Sequence, residues 1–151
     1  MRKALAAISV GMWLVPGCPS AGDAESHSSH LVKFARLSEP VTLSGEGKKN
    51  PLPSGGYFTW RFDKKPEMGM VIVILQAYSN AGKKETPYEI TGEYGMPEMR
   101  MHDSGPVPVQ LNKKGDYLLP VQISMPGSWQ IVLRIKRAGK PVLSGKIDFA
   151  V

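Results

Sequence analysis

A single cysteine, Cys18, is all the thiol chemistry this 151-residue chain carries, which excludes a disulfide within it. No apolar run reaches the roughly 20 residues that cross a bilayer as a helix; the opening run, Ala4 to Val15, has twelve. Outside that run no stretch sustains an apolar period of about 3.6 residues, which argues against a helical bundle. Aromatic residues make up 8% of the chain, and no basic patch is interleaved with them, so nucleic-acid binding is discounted. A nucleophile motif is also missing. The one acid–base set that can be assembled, Glu98, His102 and Asp103, is three polar residues in a single loop, too common a pattern to indicate an enzyme.

What the chain does have is punctuation. Sixteen glycines and thirteen prolines break it into short segments, as in loop-rich β proteins. Apolar residues at 42% are enough for a core. The net charge is +6, and setting aside Arg2 and Lys3 leaves +4, a balance that can attract an anionic membrane surface.

The first residues read as an export signal. Met1-Arg2-Lys3 is a charged opening, and Ala4 to Val15 is the apolar stretch behind it. Cys18 stands directly after that stretch in "VPGCPS", where Val15 and Gly17 fit the lipobox of a bacterial lipoprotein and Pro16 departs from it. Lipidation of Cys18 would anchor the protein by an acyl chain, at roughly 0.8 kcal/mol per buried methylene. Pro19, not aspartate, follows the cysteine, which favours the outer membrane of the periplasm. The alternative is an ordinary secretory signal cut near Ala21 or Ala24, with Cys18 discarded. Residues 19–30, "PSAGDAESHSSH", are almost without apolar content and read as a flexible tether in which His27 and His30 are bystanders. Residues 31–151 are expected to form the folded domain.

That domain reads as strands. "YFTWRF" puts Phe58, Trp60 and Phe62 on one face. "MVIVILQAY" at 70–78 is a continuous apolar run, expected to be a central strand covered on both faces. Residues 88–94 align Tyr88, Ile90 and Tyr94, and 107–111 align Val107, Val109 and Leu111, with Pro108 marking an edge strand. Tyr117, Leu119, Val121 and Ile123 share a face, as do Trp129, Ile131, Leu133 and Ile135, and then Ile147, Phe149 and Val151. About seven short strands separated by turn signals predict an immunoglobulin-like antiparallel β-sandwich.

Strand parity then places the loops. Each strand crosses a sandwich, so successive connections alternate between its two ends. The connections at 63–70, 95–106 and 124–128 are expected at one end, carrying Met68, Met70, Met96, Met99, Met101, His102 and Met125. Lys83, Lys84, Lys113, Lys114, Arg137 and Lys140 are expected at the other. Thioether sulfur selects Cu(I), and imidazole binds copper in either oxidation state; methionine also withstands an oxidising compartment better than cysteine as a ligand. Met99, Met101 and His102 are therefore candidate copper ligands, with Met96 a possible fourth. The competing reading is packing: methionine fills irregular gaps at the ends of sandwiches, and Met68, Met70 and Met125 suit core capping, with Met96 as a buried turn anchor.

The segment "GMPEMRMH", followed by "KKGDYLLPVQISMPGSWQIVLRI", resembles the YtkA-like and FixH-like family of exported bacterial domains. The likeness rests on Met96, Pro97, Met99, Gly115, Tyr117, Met125, Pro126, Gly127 and Trp129. It implies a membrane-tethered immunoglobulin-like sandwich linked to copper handling or to assembly of copper-containing oxidases. Arg100 and Met101 stand where the family commonly has glycine, adding a sulfur to the loop.

Two functions compete at this point. One is a periplasmic, lipid-anchored protein that binds copper through Met96, Met99, Met101 and His102. The other is a metal-free module that offers its loops to an envelope protein.

Overall fold

The computed structural model describes residues 39–99, 101 and 103–151. The expected signal, Cys18, the tether at 19–30, the first residues of the expected domain (31–38) and His102 lie outside the described residues.

The described chain is an antiparallel-rich β-sandwich. Its strands are β1 (Val41–Thr42), β2 (Asn50–Pro51), β3 (Tyr57–Phe62), β4 (Gly69–Tyr78), β5 (Lys84–Glu85), β6 (Tyr88–Gly95), β7 (Val107–Pro108), β8 (Gln110–Leu111), β9 (Tyr117–Ile123), β10 (Ser128–Arg137) and β11 (Lys140–Ala150). One sheet runs β1-β11-β10-β6-β7 and the other β2-β3-β4-β9-β8, with β5 beside β4. The chain changes sheets between β1 and β2, between β4 and β6, between β7 and β8, and between β9 and β10, and this crossing pattern is that of an immunoglobulin-like fold.

The core follows the period-2 alternation. Phe58, Trp60 and Phe62 from β3, Val71, Val73 and Leu75 from β4, and Leu119, Val121 and Ile123 from β9 line one inner face. Ile131, Leu133 and Ile135 of β10, with Ile147 of β11, line the other. The sheets approach closely at Gly92, where an added Cβ would meet Leu119 Cδ2 at 2.5 Å. Leu119 is fully buried and has nowhere to swing.

Three sequence expectations change. Strand β4 is buried on one face only: Ile72 and Ile74 are half-exposed, because an outer sheet in a two-layer fold has no third layer over it. They are partly covered by Pro120 and Leu118, their lateral neighbours in register. The single edge strand expected at 107–111 is two pieces. Val107 pairs with Gly92 in one sheet, Val109 N–H donates to Ile90 O at 3.0 Å, and Gln110 then pairs with Leu118 in the other. The apolar alternation continues while the hydrogen-bond partners change. Finally, residues 44–51 form a wrap that the strand pattern did not show. Trp60 Nε1–H donates to Ser44 O at 2.8 Å, Glu46 accepts from Phe62 N–H at 2.9 Å, and buried Asn50 accepts from Ser44 N–H at 2.7 Å. This wrap occupies the outer edge of β3, which would otherwise offer unpaired backbone groups.

The end opposite the methionine-bearing turns is closed by Asp116. Burial disfavours its charge, but hydrogen bonds from Lys84 (2.5 Å), Gln76 (2.7 Å) and Asn112 (3.2 Å) outweigh that and hold its pKa down at about 2. The hairpin between β10 and β11 turns on Ala138 and Gly139, both at positive φ (50° and 74°), the conformation required by a tight two-residue turn.

Gly92→Ala is expected to destabilise the fold by about 1–3 kcal/mol, the usual range for overpacking, in urea unfolding monitored by tryptophan fluorescence. Asp116 has a depressed pKa, so its contribution is present above the unfolded value of 3.8 and is lost as pH falls towards 2. Over that interval the wild type should lose about 1 kcal/mol more stability than Asp116→Asn, allowing for partial solvent screening; equal slopes would contradict the network.

Candidate functional site

The strand registers fix which turns meet. Gly69 lies opposite Ile123, Gly95 opposite Gln130, and Ser128 opposite Ala150. The connections 63–68, 96–106 and 124–127 therefore share one end of the sandwich, together with Val151. At that end Val151 and Gly127 exchange two backbone hydrogen bonds, of 2.8 and 3.0 Å.

The 96–103 segment leaves β6 as a closed tab. Ser104 N–H donates to Tyr94 O at 2.9 Å, and Tyr94 N–H donates to Ser104 Oγ at 3.0 Å. The chain thus departs after Tyr94 and returns at Ser104 with its base pinned. Asp103 folds back over Gly95 so closely that any side chain there would collide with it. Within the tab, Met99 N–H donates to Met96 O at 2.9 Å, and the two residues form an antiparallel bridge around Pro97-Glu98. Paired residues of an antiparallel bridge share a face.

The methionines then divide by environment. Met96 is 7% exposed, whereas Met99, Met70, Met68 and Met101 are 40%, 52%, 62% and 97% exposed. Met96 packs against the turn after β9, its Cε lying 2.7 Å from where a Cβ on Gly127 would stand. It is a core residue, and the expected place as a fourth copper ligand is at odds with that burial: an ion would have to draw it out from beside Gly127. Met125 is half-buried against the core, and its carbonyl accepts from Trp129 Nε1–H at 3.1 Å. The core-capping expectation thus holds for Met125 and not for Met68 or Met70. Met70 stands on the outer face of β4, and Met68 borders a shallow hollow with Lys65, Pro66, Ala150 and Val151.

What remains on the tab is Met99 and Met101, two solvent-accessible thioethers two residues apart. His102, between Met101 and the pinned base, lies outside the described residues. The donor set fits a soft ion: thioethers with an adjacent imidazole in sequence suit copper better than hard cations. Among the described residues no three His, Cys, Asp or Glu side chains gather to hold a metal.

Behind the tab is a cleft of about 350 Å³ lined by Glu93, Tyr94, Met96, Asp103, Gln130 and Val132. Sequence reading missed it, since its wall comes from outward positions of β6 and β10 that carry no motif. Glu93 is satisfied there by Arg134, whose guanidinium pKa the carboxylate raises. Gln130 donates to Asp148 at 2.7 Å.

No family model matches the chain, and no curated protein matches it. Similar solved structures include the crystal structure of FetP from uropathogenic E. coli strain F11, recombinantly expressed in the E. coli periplasm. It is 11% identical over 70% of this chain and 97% of that chain, with a TM-score of 0.43. The solution structure of the PKD domain from human VPS10 domain-containing receptor SorCS2 is 10% identical over 93% of this chain and 95% of that chain, with a TM-score of 0.36. At these scores neither likeness bears on the site.

Met96→Ala is expected to cost about 2–5 kcal/mol, as for other buried methionines, whereas Met101→Ala should stay within about 0.5 kcal/mol of the wild type. Thermal unfolding of the two variants side by side checks the division.

Proposed function

We propose that this is an exported protein, tethered through Cys18 to the outer membrane on its periplasmic side, that binds copper(I) through Met99, Met101 and His102. The observation that carries the proposal is the exposure of sulfur. Among the described residues six large apolar side chains are exposed, and four of them are methionines: Met68, Met70, Met99 and Met101. All four lie at or beside one end. Apart from these four, only Val41 and Leu111 are exposed among the large apolar side chains of the described residues; the fold gains nothing from leaving thioethers in water, and soft-metal ligation gives them a use. The likeness of "GMPEMRMH" and "MPGSW" to exported YtkA-like and FixH-like domains supports the same reading.

A second reading, a metal-free envelope module, is favoured by Met68 and Met70. They sit on other elements than the tab, so one ion does not account for all four sulfurs. Exposed methionine also makes adaptable apolar contact with a protein partner.

Titration with Cu(I) under reducing conditions separates the two. The wild type should bind, Met99→Leu/Met101→Leu and His102→Ala should each weaken binding at least about tenfold, or about 1.4 kcal/mol, and Met68→Leu should bind as the wild type does. Unchanged affinity in the double methionine variant would remove the copper reading. Loss of envelope-protein capture by Met68→Ser/Met70→Ser, with copper chelated throughout, would put the second in its place.

A further inference from the structure

The end opposite the methionines gathers several turns of the chain. Three connections meet there. Tyr78 pairs with Lys84 across the 79–83 turn, Leu111 pairs with Tyr117 across the 112–116 turn, and Arg137 pairs with both Lys140 and Tyr88. The first two touch through Lys84 Nζ, which donates to Lys114 O at 3.0 Å. The third joins them through Tyr88, whose N–H donates to Tyr117 Oη at 3.1 Å. Sequence positions far apart are thereby gathered on one face.

That face is cationic. Lys83, Lys113, Lys114, Lys136, Arg137 and Lys140 are all exposed. Among the described residues Lys84 is the one cation of this end held in an ion pair, and its partner Asp116 is already shared with Gln76 and Asn112. Asp116, Glu85, Glu89 and Glu39 are the acidic residues nearby, too few to neutralise the seven cations. Among the described residues the other end is close to balanced, since Asp63, Glu67, Glu98 and Asp103 offset Arg61, Lys64 and Lys65. The domain is thus electrically polar along its strands.

The path of the chain adds a second observation. Strand β1 runs parallel to β11, with Val41 opposite Gly145 and Thr42 opposite Lys146. Since β11 starts at Lys140, the chain reaches Val41 from the side of the cationic end. The described chain therefore enters the sandwich, at Glu39, from that side.

We propose that the cationic end docks on an anionic phospholipid surface, which turns the methionine tab away from the membrane. The contact is a diffuse attraction between lysine ammonium groups and lipid phosphates, requiring no pocket. Each lysine near such a surface is expected to raise partitioning about fivefold. The docking needs neither copper nor the acyl chain, so it stands or falls separately from the metal reading.

The test uses residues 19–151, which keep every described residue and omit both signal and Cys18, in metal-free buffer. Sedimentation with vesicles of equal parts phosphatidylglycerol and phosphatidylcholine should pull the protein down, and pure phosphatidylcholine vesicles should not. Reversing the end in Lys113→Glu/Lys114→Glu/Lys140→Glu should reduce binding at least about tenfold, with circular dichroism confirming the fold. Lys64→Glu/Lys65→Glu, at the other end, should bind as the wild type does. No binding to the anionic vesicles, or equal binding by both variants, would overturn the proposal. So would tighter capture by heparin than by these vesicles, which would assign the end to a soluble polyanion.

Discussion

Two antiparallel pairings, β4 with β9 and β6 with β10, are what everything else in this molecule hangs from. They set which residues face inward, because side chains on a strand alternate with a period of two. They also set which loops are neighbours. With Gly69 held opposite Ile123 and Gly95 opposite Gln130, the sulfur-bearing turns meet at one end and the lysine-bearing turns at the other. A slip of one residue in either ladder would turn a whole face of valine, leucine and isoleucine towards water. The hydrophobic term that fixes the core therefore fixes the geography of the ends as well.

Within that frame, the ends are built by local polar contacts. Ser104 and Tyr94 pin the methionine tab, Asp116 gathers Lys84, Gln76 and Asn112, and the 44–50 wrap closes the edge of β3. Each of these uses a side chain to satisfy backbone or charge where a ladder stops. The tab's two kinds of methionine follow from the same logic. Met96 is the last inward position beyond β6 and meets Gly127, whereas Met101 lies past the turn and is almost fully exposed.

The long strands were legible because alternation is a statement about faces. Phe58, Trp60 and Phe62 could hardly be placed otherwise, and the parity argument needed little more than a count of passes. Other features carried no such signal. The wrap at 44–50 is held by single bonds such as the Trp60 indole to Ser44 O, and a lone side-chain bond has no periodicity. The break at Val109 was hidden because Val107, Val109 and Leu111 stay in phase while the chain changes sheets. The division of the methionines was also out of reach: "GMPEMRM" reads alike at each sulfur, and only the turn carrying Gly127, some thirty residues on, distinguishes Met96 from the others.

The parallel pairing of β1 with β11 has a mechanical meaning. Tension applied between residues before Val41 and the far end of the sandwich pulls along the axis of that pair, so its hydrogen bonds are loaded together in shear and not peeled open in turn. With β11 itself paired along its length by β10, a load entering at Val41 would meet this two-residue strand before it reached the core.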